Sequence, residues 1–276
     1  MSKVNIKRAI ENIRANTTVY TPIVEVVVNA IQAIECNGGT EGKITIRIHR
    51  ADQSESDGLS EVHSIEIEDN GIGFTNENRQ SFDTLYTDLK INEGGKGFGR
   101  FTCLKYFDNL NVESVYRDKN SFKQRNFSMG KDNDIIVDEI ISEPPEQKSG
   151  ATIYLRALKN RKSIDKKLNT IARNLVEKLL PYFITKDYVC PQIILSEKDG
   201  TGHQIQLNEF VNNELSAVIK EIPVNHSSCT LKGAQAEEKF LVRVFKLYFP
   251  KAQKSRVSLV AHKREVSGSP IHKYIP

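Results

Sequence analysis

Tryptophan is absent from this chain, methionine occurs twice and cysteine only four times in 276 residues. The cysteines, Cys36, Cys103, Cys190 and Cys229, are scattered with no Cys-x-x-Cys pair, so neither a zinc ribbon nor a disulfide framework is indicated. No apolar run approaches the roughly 20 residues of a membrane span, and Met1-Ser2-Lys3-Val4 leads into no signal-peptide core. The chain reads as cytoplasmic, without a membrane partner. Charge of one sign is not in excess either, because the net charge is only +4. Two familiar phosphate loops are missing. Around Gly38 to Ile44, Asn37 stands where a P-loop needs its first glycine and Ile44 where it needs its hydroxyl. Gly95-Lys96-Gly97 lacks the third glycine of a dinucleotide fingerprint, since Arg100 occupies it.

What is present begins with Ser64-Ile65-Glu66-Ile67-Glu68, an alternating run that reads as a strand with Ile65 and Ile67 inward. It breaks at Asp69-Asn70-Gly71-Ile72-Gly73. Gly71 and Gly73 let the backbone turn sharply and let a flat ligand approach without Cβ interference, leaving the Asp69 carboxylate at the strand end to accept from an exocyclic amine. Asn70-Gly71 also reads as an ordinary hairpin turn. Upstream, Thr21-Pro22 supplies an N-cap and first-turn proline for a mostly apolar helix running to a stop at Asn37-Gly38-Gly39. Glu25 and Asn29, four apart, project from one face of it. Glu25 falls one position too late for a capping box with Thr21. A carboxylate among valines is costly unless water or a metal partners it, or unless it reaches solvent along the helix edge. Glu25 suits activation of water, and the Asn29 amide suits ligation of Mg²⁺ that is otherwise held by phosphates and water. A third stretch, Gly94-Gly95-Lys96-Gly97-Phe98-Gly99-Arg100, opens into a short amphipathic helix from Phe101 to Phe107. Its free N–H groups, with Lys96 and Arg100, suit phosphates, although a flexible glycine linker is the plainer reading.

In this order, Glu25-x-x-x-Asn29-Ala30, Asp69-x-Gly71-x-Gly73, Gly94-x-x-Gly97-x-Gly99 and Gly150-Ala151-Thr152 resemble the four boxes of the GHKL ATPases. That superfamily includes gyrase B, the ninety-kilodalton heat-shock chaperones, histidine kinases, MutL and MORC proteins, and the likeness leans toward the last two. The resemblance covers about residues 5 to 190. It implies the Bergerat fold, an α/β sandwich of mixed sheet and helical layer, with ATP and Mg²⁺ as cofactors. It also implies Glu25 as general base, Asn29 as magnesium ligand and Asp69 as adenine reader assisted by the Thr152 hydroxyl. Gly95, Lys96, Gly97, Phe98, Gly99 and Arg100 would hold the phosphates. Where MutL and MORC relatives often carry Asp, this chain has Gln32.

The rest of the chain is expected to arrange itself around that site. Residues 3 to 15 put Ile6, Ile10 and Ile13 on one face of a short helix that packs on its own domain or on a partner subunit. Lys43 to His49 alternates as a strand, and about 75 to 95 has the composition of a nucleotide lid or a helical insertion. Strands are expected at about 110 to 116, 122 to 129, 135 to 141 and 151 to 156. A helix from Ile164 should stop at Pro181, before a closing strand at 189 to 196. This puts an ATP-binding domain at 1–197 and the start of a transducer-like domain at 198–276, cut short within a longer protein. In that second region Phe240 to Phe249 and Arg256 to Val266 read as two strands of one sheet. From Thr230 onward there are 10 Lys and Arg against 3 Glu, which suits a polyanion such as nucleic acid or simply a solvated face.

The function expected is slow Mg²⁺-dependent ATP hydrolysis coupled to lid closure and ATP-dependent homodimerisation in a larger protein, whose downstream domains are further partners. A nucleotide-gated binding module with negligible hydrolysis is the alternative. A histidine-kinase-type phosphotransferase is less favoured, because 24 residues before Glu25 leave no room for a phosphoacceptor hairpin and the six histidines lie at or after His49.

Overall fold

Isoleucine alternates with polar residues in β1 (Lys43–Arg50), so Ile44, Ile46 and Ile48 are buried on one face while Arg47 and His49 line the other. This computed structural model describes residues 5–13, 17–38, 41–52, 58–84, 99–185, 188–198, 202–210, 219–222, 228–232, 237–247, 256–261 and 263–270. Two compact units are present: residues 1–207 with 259–267, and residues 208–258 with 268–276.

The first unit is built on one mixed sheet. Its remaining strands are β2 (Val62–Asp69), β3 (Phe107–Asp118), β4 (Ser121–Met129), β5 (Ile136–Ser142), β6 (Gly150–Leu158), β7 (Gln192–Glu197) and β8 (Gln204–Gln206), in the order β5-β4-β3-β6-β2-β1-β7-β8. Among these strands only β1 and β7 run parallel; every other neighbouring pair is antiparallel. Its helices among the described residues are α1 (Ile6–Glu11), α2 (Tyr20–Cys36), α3 (Asn76–Asp83), α4 (Gly99–Tyr106) and α5 (Leu168–Ile184), and the single turn α6 (Leu207–Glu209) follows β8. The apolar stripe of α2 (Ile23, Val27, Ile31, Ile34) and that of α5 (Ile171, Leu175, Leu179) are buried together with Ile65, Ile67 and Leu155 of the sheet. The expected α/β sandwich with a mixed sheet and a helical layer is therefore the fold of this unit.

The reverse face of the sheet is polar. Glu66, 5% exposed, sits there between Arg47 (2.6 Å), His49 (3.0 Å) and Lys198 (3.2 Å), and these three partners hold its carboxyl below the usual range against the cost of burial. A buried charge of this kind is tolerated only when fully paired.

Several expected boundaries move for identifiable reasons. α2 begins at Tyr20 with Val19 at the cap position and no side-chain cap; the Thr21 hydroxyl instead accepts from the Thr18 N–H at 3.0 Å. Pro22 still falls in the first turn, where a missing N–H costs nothing. At the other end Asn37 is the cap and Gly38 takes φ +90, as the Asn-Gly-Gly stop anticipates. α5 does not stop at Pro181 but carries it to Ile184, and both the N–H and the hydroxyl of Thr185 donate to the Pro181 carbonyl. The expected lid region is described only as far as Thr84, and its first part is α3.

In the second region the two long strands expected are broken. Phe240 to Phe249 divides into β11 (Glu237–Leu241) and β12 (Val244–Leu247), which pair with β10 (Ser228–Lys232) and β9 (Ile219–Ile222) respectively. Arg256 to Val266 divides into β13 (Arg256–Ala261) and β14 (Arg264–Pro270), paired with each other; Lys263 between them has φ +61. Among the described residues these make three two-stranded sheets and not one.

Candidate functional site

Glu25, Asn29 and Ala33 follow one another at four-residue spacing and therefore form one stripe along α2. Core packing places Val26, Val27 and Val28 inside, while Glu25 is half-buried and Asn29 exposed, so the stripe lies on the rim of the helix layer and not in its core. The two ends of the stripe are tied to the rest of the site. At the Ala33 end, the Ile72 N–H donates to the Ala33 carbonyl at 3.1 Å, and a Cβ on Gly71 would stand 2.6 Å from the Ala33 backbone and side chain. At the Glu25 end lies α4, where burial first and the Glu25 charge second push the Cys103 thiol up to about 12. Asn29 thus stands one helical turn from a carboxylate that faces α4 and one turn from the contact with the first glycine turn.

That turn follows β2 directly, and it leads into α3 and not into a hairpin. Asp69 is 8% exposed and accepts the Gly71 N–H at 2.8 Å. Burial pushes its carboxyl up to about 7, the Gly71 bond opposing and the neighbouring Glu68 charge adding. Asn70 pins the turn to the start of β1, accepting from Lys43 N–H at 2.7 Å and donating to the Glu41 carbonyl at 2.8 Å. The glycines are required by protein contacts as well as by any ligand. Gly73 has φ +72 and a Cβ there would lie 2.3 Å from the Val115 carbonyl, while one on Gly150 would lie 2.4 Å from the Asp69 carbonyl.

Strand register corrects one expected site residue. Asp69 pairs with Ala151, and Thr152 pairs with Glu68. Successive side chains alternate faces, so Thr152 lies on the reverse side of the sheet from Asp69 and cannot assist it. Farther along the same row, Ala151 pairs with Ser114 and Ser114 with Arg125. Asp69, Ser114 and Arg125 therefore form a polar row on the helix-facing side of the sheet, and each of them holds the departing chain. The Phe74 N–H donates to Ser114 Oγ at 2.8 Å, and the Ser114 hydroxyl donates to the Gly150 carbonyl at 3.0 Å. Arg125, 3% exposed, donates to the carbonyls of Phe74 (2.6 Å) and Thr75 (3.0 Å) and to Asn76 Oδ1 (2.7 Å). Neither Ser114 nor Arg125 was expected at the site. The available signal was a polar residue at an inward position of an alternating strand: Leu110, Val112, Ser114, Tyr116 in β3 and Arg125, Phe127, Met129 in β4.

Of the expected phosphate-holding residues, Gly95, Lys96, Gly97 and Phe98 lie outside the described residues, and Gly99 begins α4. Arg100 is described, and its guanidinium is engaged by α3: it donates to the carbonyls of Ser81 (3.0 Å), Phe82 and Thr84 (2.8 Å). Burial lowers it to about 10, the Asp83 charge opposing. Among the described residues no group of three or more His, Cys, Asp or Glu converges as a metal cage. The residues present fit a divalent ion that takes one amide oxygen, from Asn29, and completes its shell with phosphate and water.

No curated protein matches the chain. Among solved structures, one described as the crystal structure of the N-terminal domain of a DNA repair protein is similar with a TM-score of 0.53 and 15% identity, covering 87% of this chain and 70% of that one. Identity at that level speaks for a shared fold alone. Residues 16–160 match the family described as "Histidine kinase-, DNA gyrase B-, and HSP90-like ATPase". The match takes in α2 with its Glu25–Asn29 stripe, the Asp69 turn and β6, and it spans more than half of the chain. This protein belongs to the family of histidine kinase-, DNA gyrase B- and HSP90-like ATPases.

Proposed function

We propose that the chain binds Mg²⁺-ATP between the α2 stripe and the Asp69 turn and hydrolyses it slowly to ADP and phosphate. The observation that carries this reading is the single stripe Glu25–Asn29–Ala33, one end beside α4 and the other in contact with Gly71. Asp69 would accept the adenine amine, Gly71 and Gly73 would let the purine lie close, and the 95–99 segment with Lys96 would hold the phosphates. Glu25 would orient the attacking water and take its proton. A bound magnesium ion, with Asn29 as its protein ligand, would neutralise phosphate charge. Most of the rate gain in such a site comes from positioning and charge stabilisation, so turnover stays low unless closure completes it.

The useful output is nucleotide-driven homodimerisation passed to further domains of the same chain, in the manner of the MutL and MORC proteins that the motifs resemble. The basic 230–276 stretch supports a nucleic-acid partner. Two measurements on one preparation test this: steady-state phosphate release in Mg²⁺ and in EDTA, and mass by light scattering with and without a non-hydrolysable ATP analogue. Release that requires Mg²⁺ and rises with protein concentration, together with doubling of mass on the analogue, is the expected result. ATP binding with no release at any concentration would move the assignment to a nucleotide-gated binding module.

A further inference from the structure

Helix α3 has no buried residue. An isolated helix of this length is marginal in water, and without an apolar face pressed into a core something else must hold it. One support is aromatic. Phe82 meets Phe74 and Phe127 edge-on, with ring centroids 5.7 and 5.5 Å away. Arg79 of α3 also pairs with Glu139 of β5 at 2.9 Å and Thr75 caps the first turn, and two further guanidiniums, one at each end, come from elements far apart in sequence. Arg125 of β4 reaches the chain where it enters α3, through the Phe74 and Thr75 carbonyls and Asn76 Oδ1. Arg100, in the first turn of α4, reaches the chain where it leaves, through the carbonyls of Ser81, Phe82 and Thr84, and lies 5.4 Å from the Phe82 ring centroid. The last carbonyls of a helix have no partner of their own and carry the negative end of its dipole, so a planar cation with several donors fits there.

Arg100 therefore faces two incompatible uses. Both of its terminal nitrogens are engaged by α3, and to ligate a phosphate it would have to abandon carbonyls at a helix end.

We infer that Arg100 is a positioning residue that locks the C-terminal end of α3 to the head of α4, the counterpart of Arg125 at the other end, and is not a phosphate ligand. The lock itself stands on α3, α4 and β4 alone. Its consequence rests on the nucleotide reading above: a phosphate held at the head of α4 is felt by α3, because one side chain spans the two elements.

The test separates the lock from that reading. Hydrogen–deuterium exchange is followed on the nucleotide-free chain for wild type, Arg100→Gln and Arg100→Lys. Amides of 77–84 are expected to exchange about tenfold faster in Arg100→Gln, the loss of at least one such bond read through local opening. Arg100→Lys, with a point charge in place of a fork, should fall between the two. Amides of α5 should not change in either variant. If Arg100→Gln also loosens α5, the lysine variant decides: α3 loosened with α5 intact supports the lock. Unchanged protection of 77–84 overturns it. In a second arm, ATP and ADP are titrated into wild type and Arg100→Gln. A lock leaves the ratio of their affinities within about twofold, whereas a phosphate ligand loses ATP selectively by about tenfold or more, which would overturn the inference. If the wild type binds neither nucleotide, the functional reading fails while the exchange result still judges the lock.

Discussion

Asp69 lies directly opposite Ala151 across β2 and β6, which leaves the Thr152 hydroxyl on the reverse side of the sheet beside Glu68. A threonine that cannot reach Asp69 cannot assist the base reading proposed for that carboxylate. Thr152→Ala is expected to change ATP affinity by less than about twofold, the scale of a surface substitution. Titration by calorimetry checks this, and a tenfold loss would place Thr152 in the site after all.

The Asp69 carboxyl titrates near neutrality because it is buried, and that sets a sign. Its pKa is about 7 in the fold against 3.8 for the free residue. Between these values the unfolded chain has released a proton that the folded chain keeps, so stability falls as pH rises through this window and the full penalty is present above about 7. Asp69→Asn removes the penalty. The empty variant should be more stable than wild type at pH 8 by a few kcal/mol, since each tenfold change in proton affinity is worth about 1.4 kcal/mol, and nearly equal to it at pH 4. Denaturant midpoints at the two pH values check the sign. Conversely, an amine donor on adenine prefers the ionised carboxylate, so wild-type ATP affinity should weaken as pH drops from 8 to 6, and that slope should vanish in Asp69→Asn.

Gly71 is required by α2 as much as by any ligand. A methyl group there meets the Ala33 carbonyl carbon and Cβ at 2.6 Å, backbone and rigid side chain that cannot step aside cheaply. Gly71→Ala should cost about 1–3 kcal/mol, the range for overpacking, and should displace the turn that carries Asp69. A midpoint unchanged in urea denaturation would show that the turn and helix yield freely.

Ser114 accepts the part-buried Phe74 N–H and donates to the Gly150 carbonyl at the same time. Ser114→Ala leaves that N–H without its acceptor, at a cost of about 1–3 kcal/mol. Ser114→Thr keeps the hydroxyl but adds a methyl group beside Gly73, and should lose less. Thermal unfolding of the two variants orders them; equal losses would mean that volume, and not the hydrogen bond, matters at this position.

Much of this architecture is written in local patterns. The 3.6-residue stripe of Ile23, Val27, Ile31 and Ile34 and the strict alternation of Ile44, Ile46 and Ile48 each report one buried face, and those faces build the sandwich. Glu25 and Asn29 were legible because helical spacing alone joins them. Pairing between distant strands was not. Whether Ala151 or Thr152 faces Asp69 depends on register with β2, a one-residue difference that flips the side chain and leaves no local trace. Arg125 shows the same limit, since an inward arginine in β4 makes sense only once the chain leaving the first glycine turn passes over it. The break between β11 and β12 was hidden because Leu241, Val242 and Val244 carry strand propensity through it, and that between β13 and β14 because Ala261 to Arg264 holds no Gly, Pro, Asn or Asp to mark a turn.

Glu25 beside α4 and Asn29 one turn away carry the proposed chemistry, and one paired measurement reaches it directly. ATP affinity and single-turnover phosphate release are recorded for wild type and Glu25→Ala at saturating Mg²⁺. Loss of a general base should slow release by about 10²–10⁴-fold while leaving ATP affinity within about threefold. Release at the wild-type rate from a Glu25→Ala protein that still binds ATP would contradict the assignment.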